Sequence, residues 1–219
     1  MCFSATASLT AGTFLMGVGI VTTHMARTGG ERAYAAIPLL FAIQQLTEGV
    51  VWLSFGWGID AVTAAATQLY SFFSHVLWPV YVPVAAWLIE PDRNRRRFLA
   101  AVCLAGLGVG AYLLYAMFAY PIVATPVGGH IDYASPHFYI AASMGLYLTA
   151  TTVSLILSSH RWVRLFGVLC LGSAVAAYAF YAHWFISVWC FFAAAMSIVV
   201  ALHLIAARGE TSALVENAR

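Results

Sequence analysis

From its amino terminus the chain alternates long apolar runs with short polar interruptions. Runs at roughly 5–25, 33–56, 64–89, 98–119, 136–158, 162–181 and 184–207 each approach the ~20 apolar residues that a membrane helix needs. The last two are parted only by the aromatic stretch YAFYAHWF. Ser135 and Pro136 open the fifth run, where Ser135 suits a helix cap and Pro136 the first turn. Pro38, Pro79 and Pro83 fall inside runs, which membrane helices tolerate when neighbours satisfy the freed carbonyls. The pattern predicts an all-α, polytopic membrane protein. It has one seven-helix transmembrane domain over 1–208 and a short cytoplasmic tail over 209–219.

Composition names the solvent. Of 219 residues, 63% are hydrophobic and 8% charged, against about 25% charged in a soluble domain. The first residues show neither the basic start nor the cleavage site of a signal peptide. All ten basic residues are arginine and there is no lysine, which excludes Schiff-base chemistry and with it a retinal chromophore. Arg27 and Arg32 fall between runs one and two, Arg93, Arg95, Arg96 and Arg97 between three and four, and Arg161 and Arg164 between five and six. Arg208 and Arg219 follow run seven. Seven spans therefore put every arginine on one face, as the positive-inside rule asks of a cytoplasmic side. The expectation is a bacterial cytoplasmic (inner) membrane, with the amino terminus outside and the carboxyl terminus inside. Membrane lipids are the expected partner, with RNRRR at 93–97 suited to anionic headgroups, and nothing in this pattern calls for nucleic acid. Trp57, Tyr133, Tyr181 and Trp184 fit an aromatic belt at the membrane interface. Gly106-x-x-x-Gly110 reads first as internal helix packing, with a homo-oligomer contact as the alternative.

The chemistry lies where polar residues break the apolar runs. Glu48, within QQLTEGVVW, is the one acidic residue deep in any span, about 12 Å from its outer end at ~1.5 Å per residue. His75 in span three reaches a comparable depth, and Cys190 lies near the same layer in span seven. Stripes recur at helical spacing: Gln44, Glu48 and Trp52; Gln68, Ser71, His75 and Trp78; His183, Ser187, Cys190 and Ser197. Span five adds Ser143, Tyr147, Thr151, Ser154 and Ser158. Such lines are costly against lipid and should face a bundle interior. An ionised Glu48 at that depth needs a partner or a proton, with His75 the candidate and Gln44 and Gln45 as hydrogen-bond donors. The plainer alternative is a buried hydrogen-bonded knot that fixes helix packing. Cys103 and Cys170 read as small buried apolar residues. Cys2, if Met1 is removed, would present an amine and a thiol for metal binding or nucleophilic attack, against the plainer role of a helix-start residue.

MCFSATASLTAG, FAIQQLTEGVVW, HVLWPVYVP and SVWCFFAAAMS together resemble an uncharacterised family of bacterial multi-helix membrane proteins. The resemblance covers most of the chain and supplies no catalytic residue. Seven spans with buried histidines are also broadly similar to the ceramidase and progestin-receptor-like membrane hydrolases. That likeness implies zinc or another transition metal, although Ser187 stands where an HxxxH would place its second histidine after His183.

The central expectation is an outward-opening polar cavity around Glu48 and His75 that binds a small ligand, a proton or a metal. Gln44, Gln45, Trp52, Ser71, Trp78, Ser187 and Cys190 would complete it. One alternative is a metal-dependent hydrolase of a lipid amide or ester, with His75, Glu48 and His183 as ligands and His130, Asp132 and His137 beside them. Haem held by His75 and His183 is a variant, disfavoured by their different depths. Another alternative is a proton-coupled small-solute transporter or channel, in which Glu48 and His75 exchange a proton. A third is a binding or sensory module that takes a small-molecule or lipid ligand, as an accessory subunit of a larger complex.

Overall fold

Apolar helices held end to end by a few polar staples make up nearly all of the chain. The computed structural model describes residues 4–217, with side chains through residue 208. Cys2 and Arg219, and the side chains of the 209–217 tail, lie outside the described residues.

Helix α1 runs Ala5–Met25, with the Ser4 hydroxyl accepting from the Ala7 N–H as its cap. Helix α2, Gly29–Ala35, opens on a reciprocal capping box between Thr28 and Glu31. It bends at Ala36 into α3, Ile37–Trp57, where Pro38 sits in the first turn. Helix α4, Asp60–Ser71, passes through a π-helical segment, Phe72–Leu77, into α5, Trp78–Ile89. Helix α6 spans Arg93–Ala119, capped by the Asp92 carboxylate. A short antiparallel pair follows, β1 (Ala124–Val127) and β2 (His130–Tyr133). Then come α7 (Ala141–Leu148), a second π segment (Thr149–Val153) and α8 (Ser154–Ile156). Helix α9 (Arg161–Tyr181), a 3₁₀ turn (Ala182–Trp184), α10 (Phe185–Met196) and α11 (Val199–Asn217) complete the chain.

Among the described residues, five helical stretches are long and apolar enough to cross a membrane. The last, Arg161–Arg208, is a 48-residue apolar helical stretch that folds back on itself. The Trp189 indole donates to the Cys170 carbonyl at 3.0 Å, and the His203 ring lies 4.9 Å from that of His160. The two arms are thus antiparallel about Ala182–Trp184. Span five is shorter than expected, since its helix begins at Ala141 and ends at Ile156. At 1.5 Å per residue it covers about 24 Å, less than the ~30 Å of a bilayer core. Ser135 is no helix cap and Pro136 lies ahead of the helix, because the chain first turns through residues 136–139.

Two ends can be distinguished. Arg208 donates to the Met25 carbonyl and Arg95 to that of Leu157, both at 2.9 Å, while His160 donates to Ile89 at 3.0 Å. The described arginines all lie in the segments that meet here, so this is the arginine end. The opposite end carries the β-hairpin, where Gln68 donates to the Ile122 carbonyl at 2.9 Å and His130 stacks on Trp184 at 4.5 Å. The hairpin was not anticipated in the sequence. Its turn is Gly128-Gly129, with φ of 57° and 78°, the left-handed pair that two-residue hairpin turns demand.

The glycine motif in α6 is used inside the bundle. A Cβ on Gly106 would stand 2.0 Å from the Pro79 carbonyl oxygen, and one on Gly110 would stand 2.8 Å from Val80. The faces turned outward are apolar instead, with Phe118, Phe180 and Leu104 exposed by 81%, 80% and 71%. That is a surface suited to lipid rather than water.

Candidate functional site

Helix α3 turns Gln44, Gln45 and Glu48 inward, and all three are fully buried. Ser8 of α1 donates its hydroxyl to Glu48 Oε2 at 3.3 Å, and Ser187 of α10 donates to Oε1 at 2.7 Å. Three helices therefore meet on one carboxylate. Gln44 Oε1 accepts from the Trp78 indole at 2.6 Å, and Phe41 stacks on the same indole at 3.9 Å. Cys190 lies within interaction range of Gln44, Glu48 and Tyr70. Among the described residues, neither polar atom of the Gln45 amide has a hydrogen-bond partner. Trp52, one turn beyond Glu48, is half-buried and meets Phe55 edge-on.

His75 sits in the first π segment and is also buried. Its Nδ1 lies 3.1 Å from the Ser71 carbonyl and 2.8 Å from Ser74 Oγ, and its Nε2 lies 2.8 Å from Ser135 Oγ. A carbonyl can only accept, so Nδ1 carries the proton and Nε2 accepts from the Ser135 hydroxyl. The hydrogen bonds of His75 thus go to serines, rather than to Glu48 as expected. Phe138 closes on the imidazole edge-on.

The π geometry has a local cause and a local consequence. The Trp78 N–H reaches back to Phe73 rather than Ser74, and Pro79 has no N–H to offer. The Ser74 carbonyl is thereby left without a backbone donor, and the Tyr147 hydroxyl supplies one at 2.5 Å. Tyr147 itself lies two residues ahead of the second π segment. Single π turns inside α-helices recur at functional positions, and here two of them adjoin one cavity.

That cavity, of about 30 Å³, is walled by aromatic rings including Phe41, Trp78, Tyr147, Phe166 and Trp189, and by Thr151, Cys170 and Cys190. It has room for about two waters. On its arginine-end side, Cys170 lies within interaction range of Tyr34, whose ring meets that of His203 at 5.4 Å. His203 in turn meets His160, so titratable groups continue to the arginine end.

The remaining predicted residues lie elsewhere. Ser71 is buried in the layer, its hydroxyl without a hydrogen-bond partner among the described residues. His183 is largely exposed and faces Asp132 at 3.4 Å on the hairpin end, His137 stacks on Tyr120, and His130 stacks on Trp184. Among the described residues, no three of His, Cys, Asp and Glu converge on a metal position. His75 also has both ring nitrogens in hydrogen bonds, which fits neither the zinc set nor the haem pair. The hairpin end is covered over the layer by Ile131, Tyr133 and Phe138, all buried. Beside it lie a groove of about 360 Å³ lined by Ser54, Asp60, Thr63, Thr67 and Pro126, and one of about 480 Å³ lined by Asp132, Ser135, Tyr139, Tyr178 and His183.

The sequence reading missed Ser8, and it missed Ser135 as a partner of His75. It also left out the line of Tyr34, His203 and His160. Only the hairpin that delivers Ser135 had a usable signal, the Gly-Gly pair between two short β-prone runs.

No curated protein and no solved structure matches the chain. Over residues 1–215 it matches a family of unknown function (DUF6629), and it belongs to that family.

Proposed function

We propose that this chain is a seven-helix protein of the bacterial cytoplasmic membrane that moves protons through its interior, alone or coupled to a small solute. The amino terminus faces outward and the arginine end faces the cytoplasm. The seven spans are the five long stretches with the last counted as two arms, plus the short Ala141–Ile156 helix. One observation carries the reading: titratable and hydroxyl side chains flank the central cavity on both sides. From the hairpin end, Ser135, His75 and Ser74 form one hydrogen-bonded string, and the Tyr147 hydroxyl, on the cavity wall, donates to the Ser74 backbone carbonyl beside it. Cys190 is part of that wall, with Glu48 within interaction range of it. From the arginine end, the rings of His160, His203 and Tyr34 meet edge-on, and Tyr34, whose hydroxyl has no hydrogen-bond partner among the described residues, lies within interaction range of Cys170 in the cavity lining. Imidazoles accept on one nitrogen and donate from the other, and two waters in the cavity would bridge the strings. A binding module needs only one polar layer. A run that reaches both ends is what a channel or carrier requires.

The test is proton flux into vesicles that hold the purified protein and an internal pH dye, driven by an imposed potassium diffusion potential. Flux above protein-free vesicles, lost in Glu48→Gln and reduced in His203→Gln, is the expected result. Flux equal to that of empty vesicles at every potential would overturn the proposal.

A further inference from the structure

We infer that Ser135 and His75 form a nucleophilic acyl-transfer centre that cleaves carboxylic esters of amphipathic molecules at the hairpin end; this goes beyond proton movement and does not rest on it. A serine nucleophile needs a neutral imidazole nitrogen within hydrogen-bond reach and a third group that fixes the ring. All three are here. Nε2 of His75 lies 2.8 Å from Ser135 Oγ and carries no proton, so the hydroxyl donates to it. The Nδ1–H is held by the Ser71 carbonyl at 3.1 Å and by Ser74 Oγ at 2.8 Å, and the Ser74 hydroxyl donates to the same carbonyl. That carbonyl would also steady the imidazolium formed when Nε2 takes a proton. The backbone around the serine is fixed on both sides. The Ala134 N–H donates to the Val123 carbonyl at 3.0 Å, and the Phe138 N–H donates to the Ser135 carbonyl at 3.2 Å.

The serine also borders open space. Ser135 is part of the lining of the 480 Å³ groove, whereas His75 is not, and the groove falls within the span of about 300–1,000 Å³ typical of small-molecule sites. Ser135 thus stands between a groove and a buried base, the placement a nucleophile requires. The lining selects the substrate. His183 and Asp132, 3.4 Å apart, make part of it polar, while Pro136, Ala182 and the rings of Tyr139 and Tyr178 offer apolar surface. A molecule with a polar head and an acyl chain matches both. In the step itself, Ser135 Oγ bonds to the ester carbon as its proton passes to Nε2, and the carbonyl electron pair moves onto oxygen. The phenols of Tyr139 and Tyr178 are O–H donors in the same groove for that oxyanion. Collapse breaks the ester C–O bond, and the leaving alkoxide takes the proton from Nε2. Water then attacks the acyl-serine with His75 again as base, which releases the acid and returns the proton to Oγ.

The experiment treats the full chain in detergent with a fluorescent alkyl fluorophosphonate, which phosphonylates activated serine hydroxyls, and locates the adduct by peptide mass spectrometry. Time-dependent modification of Ser135 is expected, abolished in Ser135→Ala and slowed by about 100-fold or more in His75→Gln. The position of the adduct is read in the wild type, so the result decides even where a variant does not fold. No adduct on Ser135, or an equal rate in folded His75→Gln, would overturn the centre. Turnover is read as p-nitrophenol release from the decanoyl and acetyl esters in mixed micelles. The decanoyl ester should react about ten-fold faster or more, a ratio that asks for only about two buried methylenes. Faster release from the acetyl ester would overturn the amphipathic substrate. Release no faster than in the detergent blank, with Ser135 labelled, would leave a reactive serine without acyl transfer and overturn the activity.

Discussion

Replacing Tyr147 with phenylalanine removes one oxygen and keeps the ring against the cavity. The lost bond is the 2.5 Å contact to the Ser74 carbonyl, in a side chain only 1% exposed. That carbonyl has no backbone alternative, since Trp78 bonds Phe73 and Pro79 lacks an N–H. Leaving a buried acceptor unpaired costs about 1–3 kcal/mol in soluble proteins. Interhelical side-chain bonds in membrane proteins average about 0.6 and reach about 1.7 kcal/mol, because the unfolded reference also finds partners. With no second donor available, about 1–2 kcal/mol is expected here. The assay is reversible unfolding in mixed micelles of increasing denaturing-detergent fraction, applied to Tyr147→Phe, Pro79→Ala and the double variant. Pro79→Ala restores an N–H five residues after Ser74, where a π-helical bond would use it. The cost of Tyr147→Phe should therefore shrink by about 1 kcal/mol in the Pro79→Ala background. Additivity within about 0.5 kcal/mol would refute the argument, because the carbonyl would then not depend on Tyr147.

Two further outcomes follow from the packing and from the arginine end. Gly106→Ala should destabilise by about 1–3 kcal/mol in the same assay through overpacking, since its Cβ would stand 2.0 Å from the Pro79 carbonyl. Gly108→Ala, with nothing within 4 Å, should gain up to about 1 kcal/mol of helix propensity, and equal effects at the two sites would contradict the packing. Burial alone would raise the Glu90 pKa, but hydrogen bonds from Ser159, Asp92 and Ser158 outweigh it and hold the carboxyl below its ordinary range. Its contribution is therefore present above the ordinary carboxylate pKa and lost as pH falls through the lowered one. Wild type should exceed Glu90→Gln in stability at neutral pH, and the gap should close as pH falls through the lowered carboxyl pKa, read from unfolding midpoints across pH. A gap that persists undiminished in acid would show that the carboxylate is not what holds the loop.

How far the sequence reached can be judged residue by residue. The apolar runs and the grouped arginines were legible because an apolar environment penalises every polar side chain and the pattern records that penalty. The inward position of Glu48, Ser71, His75, Trp78, Ser187 and Cys190 follows from the same periodicity, and all of them are buried. Their partners were not legible. Depth estimates assume straight α-helices, and the π segment at Phe72–Leu77 rotates His75 relative to that assumption. Ser135 was read as a helix cap, because Ser-Pro at the head of an apolar run usually is one. Its true neighbour is decided by a hairpin whose Gly128-Gly129 turn went unread. His183 fell on the same stripe as Ser187, but the 3₁₀ turn at Ala182–Trp184 breaks the stripe there and leaves the imidazole outside. His160 and Tyr34 lie near span ends, where a polar residue attracts no notice, so the second half of the string went unread.

The tight return at Ala182–Trp184 also bears on how the chain is made. Three residues join two apolar arms, and no hydrophilic loop separates them. A translocation channel that handles one span at a time would have nothing to hold on the far side between α9 and α10. In the topology proposed above, the two arms would enter the bilayer as one prefolded pair, after Arg208 has left the ribosome. The carboxyl-terminal third should then be the last part of the protein to become resistant to extraction during synthesis.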